Sequence, residues 1–461
     1  MTRPLRTRVG AFLTATIATL GLAACGGGGG NDADATTITV WTPYNTPQRL
    51  AVQEKVAEAF KEKTGITVKL VGMSASDMNT SIVSGAASGK VPDVAIVSPD
   101  QVAAWGSQKL LDYEAVADVM ESLGEDTFSD KALQLVKLPD GLGAVPSDGW
   151  GELLYYRKDV FAQLGLDAPK TVQDVVEAAT KISESDLGIT PIVLGTKPSD
   201  PMARENIEHF GLANGCQMFE GDEVTLDSEA CVETFAAYQK LAAVSDKGDQ
   251  DVESTRAAYL AGKAAMVVWS PHLLDEIANL DANFPVTADN PADLAKNTGV
   301  VGGLTGTFND DPTGFGLTIN YAILRGAATE SAKKYVEYVM SDGYIDTLAM
   351  TPEGRAPVRT GTKDDSEAYT TAWAALPLGT DPKNQKPFDE VYGTDVIEEV
   401  VNAANSFTRW GFGTDQWATA GDAVTRNTLV TELKRLLPDG DPAAYAKYVD
   451  EQVTALQAEH K

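Results

Sequence analysis

Catalytic chemistry needs particular side chains at particular spacings, and few such patterns occur in this chain of 461 residues. The three histidines, His209, His272 and His460, stand far apart, and no His-Glu-x-x-His pair is present to hold zinc on one helix face. No Gly-x-Ser-x-Gly turn lifts a serine nucleophile out of a strand–helix corner. The run Gly85-Ala86-Ala87-Ser88-Gly89-Lys90 comes near a phosphate-cradling loop, but it is one residue short and Val91 stands where a hydroxyl is required. The acidic pairs Asp310-Asp311 and Asp439/Asp441 offer carboxylates to calcium without the full loop spacing. Neither a catalytic set nor a metal or cofactor site is therefore expected. What the sequence does hold is tryptophan, carboxylate and arginine in short glycine-containing stretches, a chemistry suited to stacking and bidentate hydrogen bonding.

The amino terminus indicates the compartment. Arg3, Arg6 and Arg8 form a basic head before an apolar run from Ala11 to Ala24. At about fourteen residues the run is shorter than the about 20 that a membrane span needs. The pattern reads as a secretory signal over residues 1–24. Its end, Leu22-Ala23-Ala24-Cys25, resembles a bacterial lipobox, which implies diacylation of Cys25 and cleavage in front of it; an ordinary signal peptide with an incidental cysteine is the plainer alternative. Gly26 to Gly30 and Asn31-Asp32-Ala33-Asp34 then supply a flexible tether over residues 25–35. With Cys25 so assigned, Cys216 and Cys231 remain in an oxidising compartment, either as a disulfide or as two free thiols. Neither sits in a Cys-x-x-Cys motif.

The apolar fraction of 43% suits a large core, and no later segment has a membrane-spanning length of uninterrupted apolar residues. A formal charge of −29 repels phosphate backbones and anionic head groups, so nucleic acid is not an expected partner and the membrane is approached only through the lipid. From Thr36 the chain alternates short β-branched runs with amphipathic stretches. Thr36 to Trp41, Ile66 to Val71, Val94 to Val97, Ala264 to Trp269 and Phe315 to Ile319 read as strands. Thr46-Pro47 opens a helix that Gly65 ends. Thr171 and Asp174 resemble a capping box for a helix through Ile182. Further helices are expected over Ala230 to Val244, over Thr329 to Met340 and in most of the chain from Asp395 onward. The alternation predicts an α/β fold on a mostly parallel sheet.

Six runs, in order, resemble the type-1 bacterial extracellular solute-binding proteins that serve carbohydrate ABC importers. They are ITVWTPYNTP with VAEAFKEKTGITVKL, SGAASGKVPDVAIV, LLYYRKDVFAQLGLD with APKTVQDV, GKAAMVVW, GFGLTIN and the AAKKY-like helix after it. The resemblance implies a two-lobed α/β binding-protein fold of type II with discontinuous lobes joined by a hinge. One lobe is expected at residues 36–146 plus 313–357, the other at 147–312 plus 358–461. It implies capture of a small solute, with a sugar such as an oligosaccharide or glycoside favoured, by a monomer that delivers it to the transmembrane subunits of an ABC permease. A glycerophosphodiester, a polyol or another non-sugar solute is the alternative, and a surface glycosidase a more remote one.

The same resemblance marks ligand-facing positions. Tyr44 and Asn45 follow the first strand, Asp100 follows the third, and Asp148 and Trp150 precede LLYYRKD. Arg204 and Glu205 lie in PMARENIEHFG, with a surface ion pair as the alternative. Trp269 ends AMVVW and is the expected stacking ring. The family often carries its tryptophan here or three positions later, where this chain has His272, a ligand contact or a surface histidine at a helix start. Gly314 and Phe315 match a turn at the hinge. Arg409 and Trp410 match a late aromatic and arginine, whereas Trp417 reads equally as core. Asp100 has a second reading as the N-cap of a helix from Gln101.

Overall fold

The structure is a computed structural model that describes residues 35–88 and 90–460. The expected signal, Cys25 and nearly all of the tether lie outside the described residues.

Two sheets organise the fold. The strands that matter are β1 (Thr37–Thr42), β2 (Thr67–Gly72), β3 (Val94–Val97), β4 (Val145–Gly151), β5 (Leu153–Arg157), β6 (Met266–Trp269), β7 (Thr298–Val301), β8 (Gly316–Ile323) and β9 (Ala356–Pro357). The larger sheet has six strands in the order β9-β4-β8-β3-β1-β2, and the smaller has three in the order β6-β5-β7. Among these nine strands the parallel pairs are those of β1 with β2 and with β3. The remaining ladders, β8 with β3 and β4, β9 with β4, and β5 with β6 and β7, are antiparallel. The expected mostly parallel sheet is thus corrected to a mixed one. The βα units at the amino end give the parallel pairs, whereas β8 and β9 return from the second half of the chain and run the other way.

The helices that concern the site are α1 (Pro47–Thr64), α2 (Pro99–Ser107), α3 (Val172–Ser183), α4 (Pro201–Asn214), α5 (Glu229–Ala243), α6 (Thr329–Val339), α7 (Phe388–Ser406), α8 (Trp417–Thr425) and α9 (Pro442–Ala458). Local chemistry sets their ends. Thr46 Oγ1 accepts from Arg49 N at 3.4 Å to open α1, and Gly65, at φ 77°, closes it by donating to the Lys61 carbonyl. The capping box expected at Thr171 forms with Asp174, at 2.9 and 3.0 Å. Ser98, not Asp100, caps α2, with Gln101 as the reciprocal partner. Asp100 is thereby left in the first helical turn with its carboxylate unused by the cap.

Period-2 alternation in the small sheet buries both faces. Leu153, Tyr155, Val267 and Trp269 join a core that extends under the six-stranded sheet. Leu154, Met266 and Val268 face the opposite way into a second core with side chains of α3, α4, α5 and α9. Cys216 and Cys231, both fully buried, form a disulfide in that second core.

The first passage of the chain between the two sheets is a single residue. β4 ends at Gly151 and β5 begins at Leu153, so Glu152 alone spans the passage, and its N–H donates to the Phe315 carbonyl at 2.8 Å. Phe315 in turn directly precedes β8. The two sheets are therefore tied side by side at Glu152 and Phe315.

Candidate functional site

The side chains at that junction form a floor and a polar wall. Phe315 is fully buried. The Trp150 ring lies 6.0 Å from Phe315 and 6.5 Å from the His272 imidazole, edge to face with the latter. Two guanidinium groups cover Phe315, Arg409 at 4.6 Å and Arg204 at 5.9 Å from the ring centre. The loop after α7 delivers Arg409, because Thr408 N–H donates to the Gly314 carbonyl at 3.1 Å and fixes the chain beside Phe315.

Helix α4 delivers the rest of the wall. Asp200 caps it and Pro201 opens it, so Arg204, Glu205 and Glu208 fall in its first turns. Arg409 Nε donates to Glu208 Oε1 at 3.0 Å, and the same oxygen accepts from Trp410 N at 2.9 Å. Arg204 reaches Glu205 at 3.1 Å and Glu208 at 3.6 Å. Arg409 Nη2 lies 3.7 Å from Asp100 Oδ1, an ion pair that joins α2, on the side of the six-stranded sheet, to the chain near α4. Several buried atoms here have no hydrogen-bond partner: Nε and Nη1 of Arg204, Nη1 and Nη2 of Arg409, Asp100 Oδ1 and Glu152 Oε2. Buried polar groups are normally satisfied, so this concentration at one place marks a surface built for polar contact with something else.

A second group adjoins it. Asp148 is fully buried and bonded through both oxygens to Arg355, at 2.8 and 2.6 Å, and Arg355 also donates to the Thr347 carbonyl at 2.8 Å. Arg355 lies 5.1 Å from the Tyr44 ring centre and Arg49 lies 5.6 Å from it. Burial pushes the Tyr44 hydroxyl up to about 12. Gly354 is pressed against His272, whose ring fills the volume that an added Cβ would need.

Charge states follow from burial. Desolvation lifts the Glu152 carboxyl well above the usual range, and the Glu205 carboxylate adds to that; Glu205 itself is raised by burial. Burial lowers His272 to about 4, helped by Arg49 and Arg355, so its ring is a neutral hydrogen-bonding group at neutral pH. Burial alone lowers His209 to about 4. His209 Nδ1 accepts from Phe315 N at 3.4 Å, which puts the proton of the neutral ring on Nε2.

Of the residues expected to face ligand, the structure thus gathers Trp150, Phe315, His272, Arg204, Glu205, Arg409 and Asp100. Others serve different ends. Asp148 is consumed by Arg355. Trp410 is a core residue, 2% exposed, with its indole N–H bonded to the Cys216 carbonyl at 2.8 Å. Asn45 is exposed. Gly314 abuts His209, leaving no room for a side chain. Trp269 is 7% exposed and lies in the core beneath Arg256, with its indole N–H unpartnered, so the accessible stacking ring is Trp150. Trp417 is half-buried against two small core clusters. Glu152, Glu208 and Arg355 were not anticipated. Glu208, four residues after Arg204 on a helix, carried a legible signal. The phosphate-loop alternative also fails: Gly85 to Ser88 end a helix, Ala75–Ser88, whose carbonyl pole repels anions. Asp441 is the N-cap of α9. Among the described residues no group of three or more His, Cys, Asp or Glu is placed to hold a metal ion. A separate surface cavity of about 640 Å³ is lined by Lys137, Phe219, Asp222 and Asp415 among others, and it includes none of the junction residues. It has no buried unpartnered polar group, so the junction is the stronger candidate.

The model of the bacterial extracellular solute-binding proteins matches residues 42–345. The chain belongs to that family. This solute-binding protein is 30% identical over 316 residues to the Escherichia coli K12 protein named as the periplasmic-binding protein YcjN of an ABC transporter, covering 68% of this chain and 70% of the other. Its fold is similar to that of the cyclic alpha-maltosyl-1,6-maltose binding protein from Arthrobacter globiformis, with a TM-score of 0.70 at 14% identity over 92% of this chain and 100% of that one. It is also similar to maltose-bound MalE3 of T. maritima, with a TM-score of 0.67 at 20% identity over 92% and 100%. The fold is thus the two-lobed one of these binding proteins, and the protein is the solute-binding component of an ABC transporter. Members of the family bind solutes rather than transform them. Among the described residues no helix is long and apolar enough to cross a membrane.

Two predictions concern the solute-binding protein's buried charges. Asp148→Asn leaves Arg355 buried without its counter-ion and is expected to cost about 3–5 kcal/mol of stability in urea unfolding; a loss below about 1 kcal/mol removes the pair as a structural anchor. His209 is neutral when folded and titrates near its ordinary value when unfolded. Its contribution is present above pH 6.5 and is lost as pH falls toward about 4, to an extent of about 3 kcal/mol. His209→Asn, which keeps an acceptor near Nδ1 but does not titrate there, is expected to flatten that acid limb in a pH series of melting curves, and an unchanged slope excludes His209 as its source.

Proposed function

We propose that this protein captures a sugar, an oligosaccharide or a glycoside, between two lobes and presents it to the transmembrane subunits of an ABC permease. The observation that carries the reading is the junction itself: an aromatic floor of Trp150 and Phe315 under two guanidinium groups, of which Nε and Nη1 of Arg204 and both Nη atoms of Arg409 lack hydrogen-bond partners. A sugar ring offers C–H faces to an aromatic side chain and adjacent hydroxyls to a guanidinium fork. The fold neighbours, one bound to maltose and one that binds cyclic alpha-maltosyl-1,6-maltose, support the same class. A glycerophosphodiester is disfavoured, because each arginine already faces carboxylates, Arg204 through Glu205 and Glu208 and Arg409 through Glu208 and Asp100.

In this reading the lobes divide at Glu152 and Phe315, close to the crossings expected near residues 146 and 313. Ligand that touches Asp100 on one side and Arg204 on the other stabilises the closed arrangement by its differential affinity. The protein works as a monomer, without cofactor, held at the outer face of the membrane through lipid on Cys25.

Titration of intrinsic tryptophan fluorescence with mono-, di- and trisaccharides is expected to show saturable binding, and Trp150→Ala to lose at least about 1 kcal/mol of affinity, roughly fivefold. A flat response to every sugar would sink the carbohydrate reading. For the anchor, a full-length Cys25→Ala chain is expected to leave the membrane fraction in a bacterial host; retention there would show attachment by other means.

A further inference from the structure

One junction carboxyl has a different standing from the rest. Glu205 meets Arg204, Glu208 meets both arginines, and Asp100 meets Arg409. Glu152 has no Lys, Arg or His within ion-pair distance among the described residues, its Oε2 has no hydrogen-bond partner, and the residue is 4% exposed. It sits on the one-residue passage between the sheets. Phe315 is bonded to its backbone, Trp150 lies two residues before it, and Leu153, the next residue, stands opposite Trp269 in the small sheet. The charge count of the cluster is four carboxyls, Asp100, Glu152, Glu205 and Glu208, against two guanidinium groups. An anion entering such a site meets uncompensated carboxylate, whereas a cation finds a partner and, in Trp150, an aromatic face.

We propose that Glu152, with Glu205 beside it, seats a protonated amine of the ligand, so that the site prefers an amino-substituted saccharide to its neutral parent and rejects the corresponding uronate. The proposal rests on the carbohydrate reading above and deepens it. Burial and the Glu205 charge favour the neutral carboxyl of Glu152 before ligand arrives. When the ammonium group docks, Glu152 gives its proton to solvent and the carboxylate pairs with the ligand nitrogen. One proton is released to buffer for each amine bound, and none for a neutral sugar.

Calorimetric titration tests this with two probe sets: glucose, glucosamine and glucuronate, and galactose, galactosamine and galacturonate. Each is measured at neutral pH in two buffers of different ionisation enthalpy. In at least one set the amine is expected to bind about tenfold tighter than the neutral sugar, with release of about one proton, and the uronate about tenfold weaker. Glu152→Gln should erase the amine preference, bringing the amine and its neutral parent within about threefold of each other. Equal affinity for amine and neutral sugar in the native chain, or no proton release, overturns the proposal while leaving the carbohydrate reading intact. So does a Glu152→Gln chain that keeps the preference. If Glu152→Gln does not fold, Glu205→Gln, on the less deeply buried neighbour, is expected to weaken the preference, and the proton count on the native protein decides without any variant. Absence of binding by all six sugars overturns this inference, and the carbohydrate reading is then decided by the di- and trisaccharide titrations above.

Discussion

The passage of the chain between its two sheets through one residue is the constraint on which everything else depends. Glu152 has no room to wander: its N–H is held by the Phe315 carbonyl, and the strands on either side of it belong to different sheets. That single tie sets Trp150 and Phe315 side by side. It also fixes where Arg409 must come, because Gly314, one residue before Phe315, accepts from Thr408. The polar wall is then completed by α4, which the small sheet carries through packing of Ala203, Ile207 and Phe210 against Leu154 and Val268. Two sheets that share a core on one face of the smaller thus also share one floor.

Much of the fold was legible because its signals are local. The caps at Thr46 and Thr171 and the β-branched runs at β1, β3 and β6 depend on neighbouring residues only, and the structure has them within one or two positions. Strand direction was not legible. Nothing in the residues of β8 records that it lies between β3 and β4 and opposes both, since that follows from the path of a long intervening stretch of chain, in keeping with the long-range pairing that sheets require.

The site divides the same way. Position after a strand drew attention to Asp100, and family likeness to Trp150, Arg204, Phe315 and Arg409, which the structure brings together. It misled at Asp148 and Trp410, because an acidic residue or an indole near a cleft can equally be spent inward, on Arg355 in one case and on the Cys216 carbonyl in the other. That choice is made by partners more than 190 residues away. Glu152 was overlooked for the opposite reason. Between Gly151 and the apolar LLYY run it looks like an ordinary polar break, and only its burial and its unpartnered oxygen set it apart.

The contact between Gly354 and His272 has a consequence for how such chains diverge. The imidazole fills the volume that any side chain at 354 would need. The two positions lie 82 residues apart in sequence, one just before β9 of the large sheet and one just after β6 of the small one. A side chain at 354 is therefore conditional on what stands at 272, whereas a shorter residue at 272 makes no demand on 354. A lineage that acquires alanine at 354 must first turn the ring at 272 aside or trade it for something shorter, so the order of the two changes is constrained.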